Sequence, residues 1–537
     1  MMFPGLRESH LPFFVRKKGN DSLHGKENMY SKINAMALFG MEGVLIRVEC
    51  DASSGLPEMS MVGFLGAEVR EAKDRVRTAL KNTGFTLPPR HVTVNLSPAD
   101  IRKEGTSFDL AVASALLLSA ELIDLGKLPE EAVFIGELGL DGSLIPVSGI
   151  LTMVGAAKEE GFRCCVVPAG NAAEGSLVEG IDVIGLRNLG ELPLLAEGKI
   201  PALPCRIRER LAEAAGSDEV DFAEVNGQSV MRRAAEVAAA GMHNLLFVGT
   251  PGSGKTMIAR RIPTILPSIS LEEALEVSKV YSVCGLLSEE HPLILRRPFR
   301  SPHHTVSPYA LVGGGSKPKP GEISLADRGV LFLDELPEFQ KAALEALRQP
   351  LEDREVHIAR VQGSFRFPAD VMLVAAMNPC RCGYYPDRNR CHCSDAEVSA
   401  YLKRVSRPLL DRLDLCVEAP TLRYKDLVHR GKNESSAEIR ARVERARARQ
   451  AERFAGSGIR FNSRMSGKEV RTYCPLDTEK EHYLKRIFEI KGLSARAYHR
   501  ILKVARTIAD LADRENISLE DIAEAAGYRG SEEKFWR

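Results

Sequence analysis

The chain has 537 residues, of which 44% are hydrophobic and 27% charged, a composition typical of a globular protein that buries a core. The formal net charge of +1 excludes a strongly basic protein, so any nucleic-acid-binding surface has to come from a local cluster of cations. No stretch approaches the ~18 apolar residues of a membrane span, and the 11 cysteines follow no recognisable secretory leader, which favours a reducing cytoplasm without a membrane partner.

The first 28 residues lack hydrophobic periodicity, and we expect either a disordered leader or a true start at Met29. Residues 29–200 alternate predicted strands and helices, which indicates a mixed α/β domain. The predicted strands are Gly43–Glu49, His91–Leu96, Ala132–Glu137 and Cys164–Val167, and the predicted helices are Val69–Asn82, Phe108–Ala120 and Val154–Glu160. Residues 201–225 are predicted to form a linker to a second α/β region.

The strongest motif lies between a predicted strand, Leu245–Val248, and a predicted helix, Met257–Ile262. It matches the spacing G-x-x-x-x-G-K-[ST] of a phosphate-binding loop, in which backbone N–H groups and a helix N-terminus surround nucleotide phosphates. Lys255 is predicted to reach the β and γ phosphates of ATP, and Thr256 to hold Mg²⁺. The predicted ATP-binding residues are Gly249, Thr250, Pro251, Gly252, Ser253, Gly254, Lys255 and Thr256.

Two further apolar strands end in polar side chains that such a site requires. Gly329–Leu333 leads into Asp334 and Glu335, and Val371–Ala376 leads into Met377 and Asn378. The carboxyl ends of parallel strands face the ligand in α/β sheets. Asp334 is therefore predicted to bind Mg²⁺, Glu335 to polarise the attacking water as the catalytic base, and Asn378 to orient that water.

Two arginines are candidates for contacts with a nucleotide, and the first of them would reach the nucleotide of a neighbouring subunit. Arg412 follows a short predicted helix and lies in a segment that resembles the arginine finger of ring-forming AAA+ proteins. Arg496 opens the last long helix and resembles the second sensor of these proteins. The alternatives are an Arg412 that pairs with Asp411 or Asp414, and a solvated Arg496. If both arginines act in catalysis, no single subunit has a complete site and the active form is a ring.

The segments between these motifs are distinctive. They are Arg297–His304, Gly313–Ser316, Pro320–Ala326, Leu333–Phe339, Leu347–Glu352 and Ala376–Cys380. Through them the chain, from about residue 29 to about residue 530, resembles the YifB/ComM family of magnesium-chelatase-like AAA+ ATPases.

The resemblance implies an α/β multidomain architecture. A Lon/S5-like α/β domain would cover residues 29–200, a P-loop AAA+ core with a parallel sheet 226–422, and a C-terminal helical lid 423–537. It further implies a homo-hexamer that works on single-stranded or branched DNA, as a branch-migration helicase or translocase in recombination or natural transformation. A magnesium-chelatase-like metal-insertion motor and a protein-remodelling ATPase are the alternatives.

Two insertions in the core are implied by the same resemblance, one around Phe299–Lys319 and one at Arg354–Phe367, which reads as a hairpin. In related ring helicases such elements point into the pore, where cations suit a phosphate backbone. The candidate DNA-binding residues are Arg300, Lys317, Lys319, Arg354, Arg360 and Arg366, together with His303, His304 and His357. Ordinary surface charges, and core or capping roles for the histidines, are the alternatives.

Four cysteines crowd into one short loop directly after Asn378. They are Cys380, Cys382, Cys391 and Cys393. Four thiolates can close a tetrahedral Zn²⁺ site, and a loop with so little apolar content gains order from a metal. The sequence predicts zinc here, with His392 as a possible substitute for one thiol and four unliganded reduced cysteines as the alternative.

The segment around Ser107 resembles the part of Lon-type proteases that holds the nucleophilic serine. Lon uses a lysine to activate this serine, because a free hydroxyl is a poor nucleophile. In this sequence the lysine position falls on or beside Leu151, and Asp109 stands where Lon has a small residue. We therefore predict no peptidase activity, which leaves a scaffold or DNA-groove role for the domain.

Overall fold

The computed structural model describes residues 30–126, 128, 132–209, 220–360, 363–420 and 433–536, without the side chains of residues 531–533. The predicted leader, 1–28, lies outside the described residues, as do part of the predicted linker and the first residues of the predicted lid. Within the described ranges, no helix is long and apolar enough to cross a membrane.

The N-terminal region is built on a seven-stranded mixed sheet in the order β3-β4-β2-β1-β5-β8-β9. Its strands, with the separate hairpin β6–β7, are β1 (Tyr30–Phe39), β2 (Glu42–Ser53), β3 (Glu58–Val62), β4 (His91–Ser97), β5 (Ala132–Phe134), β6 (Glu137–Leu138), β7 (Leu144–Ile145), β8 (Cys164–Pro168) and β9 (Asp182–Leu186). Strands β1 and β2 pair antiparallel and are joined by a two-residue turn at Gly40, whose φ of +63° suits glycine. The predicted strand Gly43–Glu49 is thus the central part of β2 in this hairpin.

Helices cover both faces of this sheet. They are α1 (Ala67–Asn82), α2 (Asp109–Ser119), α3 (Ile150–Glu159), α4 (Ala169–Gly175) and α5 (Leu192–Ala196). Helix α2 is apolar apart from Asp109, Ser114 and Ser119, and every residue except Leu118 is buried, because α1 covers the side that faces away from β1 and β2. A helix without a polar face is expected to be buried, so the amino-acid sequence of α2 predicts its place in the core.

The central region is built on a five-stranded sheet whose strands are all parallel, in the order β11-β14-β17-β10-β18. The strands of the region are β10 (Leu245–Gly249), β11 (Phe299–Arg300), β12 (Gly313–Gly314), β13 (Lys319–Pro320), β14 (Val330–Leu333), β15 (Glu355–Arg360), β16 (Gly363–Pro368), β17 (Met372–Met377) and β18 (Leu415–Ala419). Strands β12–β13 and β15–β16 form two separate antiparallel pairs within the predicted insertions. The order brings the carboxyl ends of β14, β17 and β10 side by side.

Helices pack on both faces of the parallel sheet. They are α6 (Ser229–Gly241), α7 (Lys255–Ile265), α8 (Leu271–Val283), α9 (Pro308–Val312), α10 (Glu322–Leu325), α11 (Lys341–Ala346), α12 (Arg348–Asp353), α13 (Asp395–Leu402) and α14 (Arg407–Leu410). Helix α8 starts with a capping box between Ser270 and Glu273 and packs against α3 of the N-terminal region.

A buried polar contact joins the N-terminal and central regions at this helix. The Ser282 hydroxyl and the backbone N–H of Leu151 both donate to the carboxylate of Glu174, and the backbone N–H of Gly149 donates to the Ser282 carbonyl at 2.9 Å. Burial raises the pKa of Glu174, and these hydrogen bonds oppose the rise. Apolar side chains of both regions, including Leu177 and Val277, surround the contact.

The C-terminal region is helical, as predicted. Its helices are α15 (Ser436–Arg453), α16 (Gly467–Tyr473), α17 (Thr478–Lys491), α18 (Ala495–Leu511), α19 (Leu519–Gly527) and α20 (Gly530–Trp536). Helix α15 packs on α6 and α7, so the helical region and the central sheet share one hydrophobic core. Helix α19 begins with a capping box between Ser518 and Asp521.

Candidate functional site

The phosphate-binding loop connects β10 to α7. Gly252 and Gly254 have φ angles of +74° and +85°, and these left-handed conformations turn the loop around the start of the helix. Gly254 is the N-cap residue of α7, and Lys255 is its first residue. The loop amides and the positive end of the helix dipole therefore face the same space, which is the arrangement that binds phosphate.

Lys255 is held inside this loop. Its ammonium donates to the carbonyl oxygens of Gly249 and Thr250 at 2.8 and 2.9 Å, and to Asn378 Oδ1 at 3.3 Å. Burial lowers the pKa of this lysine, and the nearby Asp334 raises it in part. The contact with Asn378 brings two residues predicted for one site within hydrogen-bond distance, although 123 positions separate them in the sequence.

Thr256 and Asp334 form the pair predicted to hold Mg²⁺. The Thr256 hydroxyl donates to Asp334 Oδ2 at 2.7 Å. Adjacent oxygens around an octahedral Mg²⁺ lie about 3 Å apart, given metal–oxygen bonds of about 2.1 Å. A hydroxyl and a carboxylate at this separation fit that ion, so the donor set agrees with an ATP·Mg²⁺ site.

Glu335 directly follows Asp334, whose Oδ1 accepts the Glu335 backbone N–H at 2.9 Å. Glu335 adopts a left-handed backbone conformation with φ of +52°, which is uncommon for a side chain of this size. Its carboxylate lies 3.5 Å from Nδ1 of His304. Sequence reasoning placed His304 among the candidate pore cations and missed this contact, since 31 residues separate the two positions.

Gln228 is a second residue that sequence reasoning missed. Its Nε2 donates to the carbonyl oxygens of Ser253 at 2.8 Å and Pro420 at 3.0 Å, so this buried side chain ties the phosphate loop to the end of β18. The only available signal was the Asn226-Gly227 turn just before α6.

Arg412 and Arg496 lie close to each other but contact no residue of the phosphate loop within the described chain. Arg412 donates to the Arg348 carbonyl at 2.7 Å and forms an ion pair with Glu352. Arg496 is 72% exposed and lies 3.8 Å from Asp411, the residue before Arg412. The structure thus pairs Arg412 with Glu352, rather than with the Asp411 or Asp414 considered from sequence.

The four clustered cysteines converge. Their sulfur atoms all lie within 4.8 Å of one another, and three of the pairs are separated by 3.3–3.7 Å. Tetrahedral zinc with Zn–S bonds of about 2.3 Å holds its sulfurs about 3.8 Å apart, which fits this cluster. Burial raises the pKa of the Cys382 thiol, but hydrogen bonds from the Tyr384 backbone and Cys380 bring it down to about 6, which favours the thiolate. His392 is exposed and does not belong to the cluster.

The candidate DNA-binding cations occupy different environments. Arg300 makes a bidentate pair with Glu322 at 2.7 and 2.8 Å, and Lys317 pairs with Glu68 of the N-terminal region. Arg354 is half-buried, and burial together with nearby Arg464 lowers its pKa. The remaining three are exposed: Lys319, Arg360 and Arg366. The structure therefore places Arg300 and Lys317 in ion pairs, the second of them at the surface, and leaves Lys319, Arg360 and Arg366 exposed.

Ser107 lines a cavity of about 650 Å³ between the N-terminal region and the core insertions. Leu151, at the position that resembles the Lon lysine, is buried on α3. Asp109 is fully buried, and its two oxygens accept hydrogen bonds from Arg75 at 2.9 and 3.0 Å, so its role is structural.

A parallel sheet that presents a phosphate loop, an acidic pair and an asparagine at one edge, with a helical region packed beside it, defines a P-loop ATPase of the AAA+ class. Comparison with protein families agrees. Models described as "Subunit ChlI of Mg-chelatase", "Magnesium chelatase, subunit ChlI" and "Magnesium chelatase, subunit ChlI C-terminal" match residues 48–171, 221–427 and 433–529.

The chain belongs to the YifB/ComM family of magnesium-chelatase-like proteins. It is 41% identical to competence protein ComM of Haemophilus influenzae over 500 residues, which is 93% of this chain and 97% of that protein. It is 40% identical to YifB of Escherichia coli over 503 residues, 93% of this chain and 97% of YifB. An uncharacterised protein of Mycobacterium tuberculosis is 43% identical over 496 residues, with 92% and 97% of the two chains covered.

Proposed function

We propose that this ATPase forms a homo-hexameric ring that couples ATP hydrolysis to movement along DNA, as a branch-migration helicase or translocase. Lys255 would neutralise the phosphates, Asn378 would orient the attacking water and Glu335 would polarise it. Magnesium-chelatase-like AAA+ proteins are generally oligomeric, and the name of the competence protein among the relatives fits a role in DNA uptake or recombination.

The observation that carries this proposal is the hairpin β15–β16. Its inward residues, such as Ile358 and Phe365, are buried, while His357 and Arg366 lie opposite each other on the exposed face. Arg360 stands at the end of β15 and donates to the Gly315 carbonyl of the other insertion at 3.3 Å. Two arginines on one exposed hairpin, Arg360 and Arg366, suit a phosphate backbone, with binding that depends on salt and not on base sequence.

The same hairpin is connected to the nucleotide site through the chain. It lies between β14, which is followed by Asp334 and Glu335, and β17, which is followed by Asn378. A shift of the hairpin on DNA would therefore reach Glu335 through the short helices α11 and α12, and Asn378 through β17.

The aromatic residues of the insertions argue against a protein-remodelling pore. Phe365 and Phe367 are buried and Phe299 is half-buried, so Tyr309 is the exposed one of these four aromatic residues. A pore that binds a polypeptide through aromatic and apolar contacts needs several such side chains at its surface. A metal-insertion motor, which the family-model names suggest, stays the second candidate.

ATP hydrolysis with and without DNA tests the proposal. We expect single-stranded or branched DNA to raise the rate, and the effect to fall as salt increases. Arg366→Glu should weaken this stimulation and reduce the slope of log affinity against log salt by about one unit, the value for one phosphate contact. Arg77→Glu, a charge reversal at an exposed position on α1, is the matched control. An ATPase that is indifferent to every DNA would overturn the proposal in favour of the chelatase-like or protein-remodelling motor.

We also assign a structural zinc ion to Cys380, Cys382, Cys391 and Cys393. The purified protein should contain about one zinc per chain, since four convergent thiolates make a closed tetrahedral site. Cys391→Ser should lose the metal and lower the melting temperature, whereas Cys205→Ser, which alters an exposed cysteine outside the cluster, should do neither. Elemental analysis and thermal unfolding measure both effects. A zinc-free wild-type protein purified under reducing conditions would contradict the assignment.

The N-terminal region is proposed to be a scaffold and not a peptidase. Ser107 shares its cavity with Lys317 and Lys319 of the core, but Lys317 is engaged with Glu68 and the position that resembles the Lon lysine is the buried Leu151. A Lon-type dyad, in which one domain supplies both side chains, is therefore incomplete in this chain.

A further inference from the structure

The cysteine loop, Cys380–Cys393, touches the phosphate loop. Gly383 packs so closely on Pro251 that a Cβ atom added to the glycine would lie 2.5 Å from Pro251 Cδ and 2.7 Å from Cγ. No real Cβ tolerates such contacts without displacement of one backbone. Gly383 also has a φ of +86°, and its backbone N–H donates to the Cys380 carbonyl at 3.0 Å. The residue that meets the phosphate loop is thus fixed directly to the first cysteine.

The start of the cysteine loop is fixed to the hydrophobic core and to the nucleotide site. Cys380 and Cys391 are buried in the hydrophobic core below the loop. Cys380 stands two positions after Asn378, whose side chain accepts a hydrogen bond from Lys255. Cys380 and Cys382 therefore lie in the chain between two contacts with the nucleotide site, one through Asn378 and one through Gly383.

We propose that the cysteine loop, closed by its metal, is a wall of the nucleotide site, and that Gly383 is a positioning residue that holds the phosphate loop at Pro251. Loss of the metal releases both contacts, and the phosphate loop loses the conformation that surrounds the phosphates. The loop thereby acts on ATP, not on DNA. This inference rests on the proposed zinc site and on the predicted nucleotide site, and is independent of the DNA role.

A double-mutant cycle tests the contact between Gly383 and Pro251. Gly383→Ala keeps all four thiols and should keep the zinc, yet should weaken the binding of a fluorescent ATP analogue with Mg²⁺ by about tenfold or more, because overpacking forces the neighbouring backbone to move. Pro251→Ala removes the two atoms that the new methyl group would meet. In the Pro251→Ala background, Gly383→Ala should reduce the affinity for the analogue much less. If Gly383→Ala only destabilised the cysteine loop locally, the loss of affinity would be the same in both backgrounds.

Gly84→Ala controls for backbone strain. Gly84 has a φ of +87°, nearly that of Gly383, but no atom lies within 4 Å of an added Cβ, so its replacement introduces strain without a contact. This variant should bind the nucleotide analogue as tightly as the wild type. Equal losses for Gly383→Ala in both backgrounds would overturn the positioning role.

Metal removal tests the second half of the inference. The Cys391→Ser protein should contain no zinc and should bind the nucleotide analogue more weakly, both with and without DNA. The Cys205→Ser protein should keep its zinc and its affinity for the analogue. A zinc-free Cys391→Ser protein that binds the analogue with wild-type affinity would overturn the coupling and still leave the zinc site standing. If the wild-type protein contains no zinc, the assignment of a metal to the cysteine loop is wrong. The double-mutant cycle alone then decides whether the cysteine loop forms a wall of the nucleotide site.

Discussion

Replacement of Glu335 by glutamine should lower the rate of ATP hydrolysis by about 10²–10⁴-fold and leave ATP binding intact, the range expected for loss of a general base. The glutamine amide has nearly the same shape but cannot accept the proton of the attacking water. The Glu335 side chain is 59% exposed, so the exchange removes no buried contact and should not affect folding. Steady-state hydrolysis and equilibrium binding of ATP·Mg²⁺ measure the two quantities separately.

Glu338→Gln is the matched control for this variant. Glu338 lies three residues further on, in the short helix Leu336–Glu338, and its carboxylate pairs with Arg404 at 2.8 Å on the surface. The same change there should leave hydrolysis close to the wild-type rate. Hydrolysis by Glu335→Gln at the wild-type rate would show that another group activates the water, and Glu335 would lose its assigned role.

The strands that carry the site could be predicted from the sequence because each combines two local signals. β10, β14 and β17 are apolar runs buried on both faces. Each ends in, or is directly followed by, a residue with a specific backbone or polar requirement: Gly249, Asp334 and Asn378. A buried parallel strand has this pattern irrespective of the rest of the fold. The edge of the sheet at which the site lies could therefore be predicted without coordinates.

The partners of the charged side chains could not be predicted in the same way. Arg300 was predicted to line a pore, but its guanidinium is held by Glu322, which lies 22 residues later. His304 reaches Glu335 only because β11 and β14 are neighbours in the sheet. Such contacts depend on how distant segments pack, and a local sequence pattern contains no information on them. The contact between Gly383 and Pro251 belongs to the same class.

Arg412→Ala should reduce ATP hydrolysis by about 10³-fold or more if Arg412 acts on the nucleotide of a neighbouring subunit. In the single chain its guanidinium is bound to Glu352 and to the carbonyl of Arg348, so it is 18% exposed and has to leave Glu352 to reach a neighbour. Arg496, beside Asp411, lies on the same side of the molecule. One subunit interface would thus receive both arginines from one chain and the phosphate loop from the next.

Mixing of two inactive variants distinguishes this role from a structural one. In a ring built from equal amounts of Arg412→Ala and Glu335→Gln subunits, about one quarter of the interfaces combine an intact Glu335 with an intact Arg412 from the neighbour, because each interface joins two different surfaces. Hydrolysis should therefore recover to a substantial fraction of the wild-type rate. Glu352→Ala, which removes the partner within the chain, should keep most of the activity. No recovery on mixing, together with a large loss for Glu352→Ala, would mean that Arg412 stabilises its own subunit and completes no neighbouring site.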